Sequence, residues 1–293
     1  MKEGTFMRAQ VVLRPTESKK LIAKAVVDVG AVKKALREGI VVIHPSSTTY
    51  HMVEYISGEK PEGIWIIGMI CPRGTCLEGV TQKAFEENKY GELSDPANFP
   101  FSWVFKKGKL QKNLKLSDIL DEMGEGDVYI KGVNAIDSHG YVGVLIASLA
   151  GGTISKAAVA QRKKGFQMIY VAGLEKFVPT SLRGIAKETG RDKTEVAFGI
   201  PCGLWIKHES CFTEIDAFKV LTGVEAIPIA AGGVGGGEGS VVLVLKGENE
   251  KVQKAIEVFK EMKGAQLPEI ISPDCPTCHF PGCNFAGKNM EWC

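Results

Sequence analysis

Amphipathic segments alternate with short, continuous apolar runs along the first part of the chain. Residues 18–38 carry apolar side chains at intervals of three and four, which predicts a helix with one buried face, and Gly39 is placed to end it. The β-branched run 40–43 is typical of a strand buried on both faces. The same patterns predict strands at 64–70, 101–105, 127–131, 141–147 and 166–172, and helices at 50–56, 116–123 and 154–164.

This alternation predicts an α/β fold with a mostly parallel, doubly wound sheet. After residue 195 the rhythm becomes strand, helix, two strands joined by a glycine-rich turn, helix and a last strand at 268–271, which is the ferredoxin-like order. We therefore predict an α/β ligand-binding domain over residues 1–185, a smaller ferredoxin-like α+β domain over 195–271 and a cysteine-rich tail over 272–293. The charged, weakly apolar stretch 183–195 separates the two domains.

Composition and charge narrow the class of protein. With 44% hydrophobic residues, 24% charged residues and a net charge of +2, the chain has no basic excess that would suggest nucleic acid or an anionic membrane as a partner. No apolar run reaches the ~18 residues that span a bilayer, and the first residues lack the apolar core of a signal peptide. We expect a cytoplasmic protein whose eight cysteines are unpaired, buried or metal-bound, and we leave a homo-oligomer open.

A turn rich in hydroxyl groups joins the predicted strand 40–43 to the helix that follows. Its side chains are Ser46, Ser47, Thr48 and Thr49. Backbone N–H groups and the dipole at a helix N-terminus favour an anion, and ligands of open α/β sheets bind at the carboxyl ends of strands. The turn therefore predicts a site for a phosphate or carboxylate, with simple capping of the helix as the competing interpretation.

In this strand–turn–helix the chain resembles the superfamily of ribose-5-phosphate isomerase, glucosamine-6-phosphate isomerase and the CoA-transferases, over residues 1–185. The resemblance implies that the turn holds a phosphate or carboxylate and that Ser47, Thr48 and Thr49 contact it. A second turn, Gly151-Gly152-Thr153, precedes another predicted helix and suits the same arrangement. The chain departs from the family because His44, Pro45 and Ser46 replace the loop glycines, which restricts close approach of the backbone.

Two places carry candidates for acid–base catalysis. Asp137 and His139 share one turn, where a carboxylate could orient a histidine, although Asp-Ser-His-Gly is also good hairpin chemistry. Glu175, beside Lys176, follows the predicted strand 166–172 at the end where active sites of α/β proteins gather. A proton-abstracting base and a surface ion pair both explain Glu175.

Two further segments have competing interpretations. Arg73 lies between Cys71 and Cys76 after a predicted strand, and its guanidinium is a candidate anion clamp, whereas the two cysteines are explained as small buried hydrophobic residues. The glycine-rich segment 232–239 leads into a strand and not into a helix, so it lacks the context of a dinucleotide-binding motif and predicts a hairpin loop.

The chain ends in the pattern C-x2-C-x4-C-x9-C. Its candidate metal ligands are Cys275, Cys278, Cys283, Cys293 and His279. Soft thiolates select zinc or an iron–sulfur cluster over hard cations, and four of them suit either. Covalent haem attachment would require export, and a thioredoxin-like dithiol would require a helix start at Cys275. A tail of unliganded thiols is the remaining alternative.

Together these features predict a protein that binds a small phosphorylated or carboxylated metabolite and holds zinc or an iron–sulfur cluster. Three classes fit this pattern. One is an isomerase- or transferase-like enzyme with Glu175 or Asp137 as base; the others are a non-catalytic metabolite-sensing or metal-carrying protein and an iron–sulfur redox partner. An acid–base pair beside the 46–49 turn would favour the enzyme.

Overall fold

The computed structural model describes residues 6–87, 102–112, 114–280 and 282–289. The α/β class is confirmed. The strands are β1 (Phe6–Leu13), β2 (Ile40–Ile43), β3 (Gly68–Cys71), β4 (Gly74–Leu77), β5 (Trp103–Lys106), β6 (Lys109–Gln111), β7 (Val128–Gly132), β8 (Ala135–Ile136), β9 (Tyr141–Ile146), β10 (Gln167–Val171), β11 (Gly203–His208), β12 (Cys211–Phe212), β13 (Glu225–Gly232) and β14 (Ser240–Glu248). The helices are α1 (Pro15–Val27), α2 (Gly30–Glu38), α3 (Tyr50–Ser57), α4 (Gly79–Glu87), α5 (Leu116–Glu122), α6 (Gly152–Lys164), α7 (Leu182–Ile185), α8 (Glu214–Thr222) and α9 (Asn249–Met262).

The central sheet has six strands in the order β12-β10-β7-β2-β5-β6. The strands from β12 to β2 are parallel, whereas β5 pairs antiparallel with β2 and β6 antiparallel with β5, so the sheet is mixed. Both faces are covered: Val41 and Ile43 of β2 enter one hydrophobic cluster, and Val42 enters the other. The continuous apolar pattern of this strand therefore did indicate burial on both sides.

A second, three-stranded sheet unites the two ends of the chain. Its order is β1-β14-β13, with both pairs antiparallel. The sequence analysis did not predict β1, and the strand that it predicted at 268–271 is wrong, because residues 265–274 have no regular secondary structure. The edge of β14 is instead occupied by β1 along its whole length.

Strand pairing also crosses the division between residues 1–185 and 195–271. The N-terminal strand β1 joins the sheet of β13 and β14, while β12 extends the central sheet and β11 pairs with β9. The backbone hydrogen bonds of these edges are satisfied by distant segments, which periodicity along the chain cannot reveal.

The single helix predicted over 18–38 is in fact two helices. Val29 adopts an extended backbone (φ −63°, ψ 133°) between α1 and α2, and Gly30, a residue type unfavourable within helices, begins α2. Thr213 and Asp216 form a capping box at the start of α8. In the described ranges no helix is both long and apolar enough to cross a membrane.

The buried strand predicted at 64–70 is wrong. Trp65 and Ile66 are buried in a segment without regular structure, and the chain then forms the two-stranded hairpin β3–β4, in which Ile70 is 69% exposed. The apolar run 64–70 correctly predicted that residues near its beginning are buried, but it did not predict the type of secondary structure. The strand predicted at 101–105 is present as β5, although Phe101 lies outside the described residues.

Candidate functional site

A cavity of about 1580 Å³ opens beside the carboxyl ends of β2, β7 and β10. His44 follows β2, Lys131 and Gly132 end β7, and Lys176 follows β10. All of these residues line the cavity, together with Glu175 and Lys19. Adjacent parallel strands thus bring ionisable side chains from separate parts of the chain to one edge of the sheet, where ligands of α/β proteins bind.

The hydroxyl-rich turn contributes part of the cavity wall. Ser46 and Ser47 line the cavity, whereas Thr48 and Thr49 are fully buried beneath it. Thr49 Oγ1 donates to the carbonyl of His44 at 2.6 Å, and Ser46 Oγ accepts from the backbone N–H of Thr49 at 3.3 Å. The turn is thus held by two of its hydroxyls, while within the described chain Ser47 Oγ forms no hydrogen bond and is left for a ligand.

Lys131 is a buried ionisable group in the central sheet. It is 8% exposed, although β7 is otherwise apolar, and its neighbours across the strands are Tyr170 and the residues that follow β2. Burial, reinforced by the charge of Lys176, lowers the pKa of Lys131 to about 7. Burial and the charge of Lys131 likewise lower the pKa of His44. The amine of Lys131 is therefore substantially neutral near physiological pH.

Lys176 is tied to the turn from the other side. Its Nζ donates to the carbonyl of Val133 at 2.7 Å and lies 3.5 Å from Thr48 Oγ1. Burial lowers its pKa, and the carboxylate of Glu175 opposes that effect. Lys176 thus presents an amine that can hold an anion at the same place as Ser46 and Ser47.

Glu175 is a carboxylate of the cavity wall that lacks hydrogen-bond donors. Both of its carboxylate oxygens are buried without a hydrogen-bond partner, and the nearest cation is Lys19 Nζ at 3.7 Å. Glu214 lies close behind it, fully buried, and accepts the backbone N–H of Leu174. Burial, together with the charge of Glu175, raises the pKa of Glu214 to about 7. The sheet edge therefore carries two carboxyl groups with different environments and three lysines.

Asp137 and His139 lie in a turn outside the cavity, where the carboxylate binds backbone N–H groups. The Asp137 carboxylate accepts backbone N–H groups from His139, Tyr141 and Leu182 at 2.8–2.9 Å. Burial works against its ionisation, but these three donors prevail and lower the pKa of Asp137. Neither residue lines the cavity, and the hydrogen bonds favour the hairpin interpretation of this turn.

The second predicted anion turn also reaches the cavity. Gly152 and Thr153 line it at the start of α6, and Gly151 precedes them in a left-handed conformation with φ of 80°. The glycine-rich turn between β13 and β14 comes close to the same region, because a Cβ added at Gly239 would lie 3.9 Å from the Cβ of Glu175.

A much smaller cavity of about 20 Å³ lies next to the large one and is lined by four cysteines. Three of them, Cys275, Cys278 and Cys283, come from the C-terminal tail, and the fourth is Cys76 of the hairpin β3–β4. Cys76, Ile200 and Phe280 line both cavities and separate them. None of the described cysteines forms a disulfide. Burial, with the neighbouring thiols, raises the pKa of Cys76 to about 12, so without a cation the thiol of Cys76 stays protonated.

The described residues of the tail pack against the hairpin and its neighbours. Arg73 Nη1 donates to the carbonyl of Pro273 at 2.8 Å and lies 3.8 Å from Cys275 Sγ. Gln82 exchanges hydrogen bonds with the backbone of Asp274, and Phe285 is 2% exposed against Phe198. Arg73 therefore binds the tail to the hairpin and places a cation beside a thiol.

The predicted ligands are not all placed in the cysteine-lined cavity. His279 lines the large cavity, and Cys293 lies outside the described residues. Across the described ranges, no three histidine, cysteine, aspartate or glutamate side chains are arranged closely enough to hold one metal ion. The four cysteines nevertheless line one small cavity, and thiolates are the ligands that zinc and iron–sulfur clusters prefer.

Sequence reasoning missed Lys131 and Cys76 as site residues. A signal for Lys131 was present, because an ionisable residue near the end of an otherwise apolar strand is rarely buried without a function. Cys76 was interpreted as a small buried residue, since nothing in a local pattern connects it with the tail.

No protein-family model matches this chain, and no curated protein has a significantly similar sequence.

Proposed function

We propose that this protein is an enzyme that moves a proton at a carbon atom of a small phosphorylated or carboxylated metabolite. Glu175 is the base, and Ser46, Ser47 and Lys176 hold the anionic group. The observation that carries the proposal is the Glu175 carboxylate, buried without a hydrogen-bond donor in the wall of a large cavity. Such burial costs stability of roughly several kcal/mol, which is typical of groups kept for chemistry.

The surroundings of Glu175 suit this role. Lys19 Nζ, at 3.7 Å, neutralises the carboxylate without hydrogen bonding to it, so the oxygens remain available as proton acceptors. The hydroxyls of Ser46 and Ser47 and the amine of Lys176 provide neutral and charged donors for an oxyanion on the same substrate. A non-catalytic binding protein would need the donors but not a carboxylate that lacks hydrogen-bond donors.

The second part of the proposal is a metal centre held by Cys76, Cys275, Cys278 and Cys283. Four thiolates are ligands for zinc or for an iron–sulfur cluster, and Arg73 reduces the negative charge that they would accumulate. Bound there, zinc would fix the tail to the hairpin, and a cluster would add a redox group beside the metabolite cavity.

Calorimetric titration with inorganic phosphate tests the anion site. We expect binding to the wild-type protein and a loss of about tenfold in affinity for Ser47→Ala, because one charge-assisted hydrogen bond disappears. Ser117→Ala, at a partly exposed position of helix α5 outside the cavity, is the matched control and should bind as the wild type does. Equal affinity for all three proteins would refute the assignment of the anion site.

Incorporation of deuterium from D₂O into carbon positions of ribose 5-phosphate or pyruvate tests the base. Glu175→Gln should slow exchange by at least about a hundredfold, since general base catalysis contributes that much. If the wild-type protein binds phosphate but exchanges neither probe, the protein is a binding module and not the enzyme proposed here.

A further inference from the structure

Lys131 has an environment that anion binding does not require. Its side chain projects from the end of β7 into the large cavity, and within the described residues it has neither a hydrogen-bond acceptor nor a carboxylate partner. A lysine that only holds an anion remains charged and is normally paired or hydrated. Lys131 is instead enclosed by apolar strands and faces a second amine, that of Lys176.

Desolvation beside another cation is the arrangement that makes a lysine amine nucleophilic. An ordinary lysine is almost entirely protonated at neutral pH, whereas burial lowers the pKa of Lys131 to about 7. A neutral amine has a lone pair that can attack an electrophilic carbon.

The position of Lys131 relative to the anion site decides which electrophile it can reach. Lys131 lies close enough to Lys176 for the two amines to repel each other, and Lys176 Nζ lies 3.5 Å from Thr48 Oγ1 of the 46–49 turn. A ligand whose anionic group rests on Ser46, Ser47 and Lys176 therefore has its neighbouring carbons beside the end of β7.

We propose that Lys131 Nζ forms an imine with the carbonyl carbon of a small anionic oxo compound bound in this cavity. The proposal rests on the function proposed above and names its substrate class, a ketone or aldehyde that carries a carboxylate or phosphate. The amine forms a C–N bond at the carbonyl carbon, and the oxygen leaves as water with the two amine hydrogens, so no oxidant or reductant is needed. The imine acidifies the adjacent C–H bond, from which Glu175 takes the proton.

Reductive trapping tests the imine in the full-length protein. Pyruvate, 2-oxoglutarate and dihydroxyacetone phosphate are incubated separately with the protein and sodium cyanoborohydride, whose hydride converts an imine to a stable secondary amine. Peptide mapping by mass spectrometry should place the adduct on Lys131 at least about tenfold above any other lysine, for at least one probe. Lys131→Arg should lose this adduct, and Lys106→Arg, at an exposed ion pair with Glu122, should retain it.

Peptide mapping of the wild-type protein tests imine formation at Lys131 even if the Lys131→Arg variant folds poorly. Labelling spread evenly over the lysines, or no label on Lys131 with all three probes, would overturn the imine. Phosphate titration of the same preparation separates the two proposals. Phosphate binding without a Lys131 adduct overturns the imine alone, whereas absence of both overturns the anion site as well.

Discussion

Arg73 and Cys275 are 202 residues apart in the chain, yet Arg73 Nη1 lies 3.8 Å from Cys275 Sγ. The contact joins the hairpin β3–β4 to the C-terminal tail, and Cys76 of that hairpin lines the same small cavity as Cys275. Backbone contacts with residues 198–200 also hold the hairpin in place. The carbonyl of Phe198 occupies the space that a Cβ at Gly74 would need, and Thr75 accepts the N–H of Ile200.

Cys76 should be a metal ligand. Protein purified without oxygen should contain zinc or iron with sulfide, and Cys76→Ser should lose it to the same extent as Cys275→Ser, because each removes one of four thiolates. Metal analysis and the visible absorption spectrum measure this and distinguish zinc from a cluster. Cys202→Ser, outside the small cavity, is the control. Full metal content in Cys76→Ser, or no metal in the wild type, would contradict the assignment.

Arg73→Met should loosen the tail. The change removes the hydrogen bond to Pro273 and the positive charge near Cys275, so we expect faster proteolysis within residues 272–289 and metal affinity lower by about tenfold. Limited proteolysis and competition with a chelator measure the two effects. Arg183→Met, at an exposed position, should change neither. A tail equally resistant in both variants would mean that Arg73 does not hold it.

Glu175→Gln should raise the free energy of unfolding. The substitution keeps the shape of the side chain and removes a buried carboxylate that has no hydrogen-bond donor and lies close to Glu214. Only the 3.7 Å ion pair with Lys19 is lost, so we expect a net gain of roughly 1 kcal/mol in urea denaturation. Glu238→Gln, exposed in the glycine-rich turn, should have no measurable effect. A loss of stability in Glu175→Gln would show that the carboxylate serves the fold and would weaken its assignment as a base.

Glu214 should make stability depend on pH. Its pKa is raised from 4.5 to about 7, so between these pH values the folded protein binds more protons than the unfolded chain. Stability should therefore fall as pH rises through this window, by on the order of 3 kcal/mol, with the full loss reached above pH 7. Glu214→Gln should flatten the profile in urea denaturation at a series of pH values. The lowered pKa of His44 acts in the opposite direction below pH 6.5, so the comparison of the two proteins is the test. A stability difference between them that stays constant over this window would be inconsistent with the assignment.

Asp137→Asn separates the two interpretations of its turn. Loss of the ionised acceptor for three backbone N–H groups should destabilise the protein by about 1–3 kcal/mol and leave phosphate affinity unchanged. Thermal or urea unfolding and phosphate titration give the two quantities. An unchanged stability together with lost deuterium exchange would restore Asp137 as the catalytic candidate.

Periodicity determined most of the central elements. The strands β2, β7 and β10 and the helix α6 lie close to their predicted bounds, because each buries a face whose spacing is local in sequence. Periodicity did not predict the hairpin β3–β4, in which burial does not follow an apolar face of the strands. It also did not predict β1, because that strand forms by pairing with β14, which is distant in the sequence.

For the candidate site, the sequence by itself determined the chemistry available at two places. The hydroxyls of the 46–49 turn follow a strand, and three tail cysteines stand at ligand spacing, because both signals depend on neighbours in the chain. Only the tertiary structure decided that Lys131, Lys176 and Glu175 meet beside the turn and that Cys76 joins the tail. These groups come from different strand ends and from a hairpin far from the tail. The lowered pKa values of Lys131 and Lys176 and the raised pKa of Cys76 follow from burial, which arises only when these segments pack together.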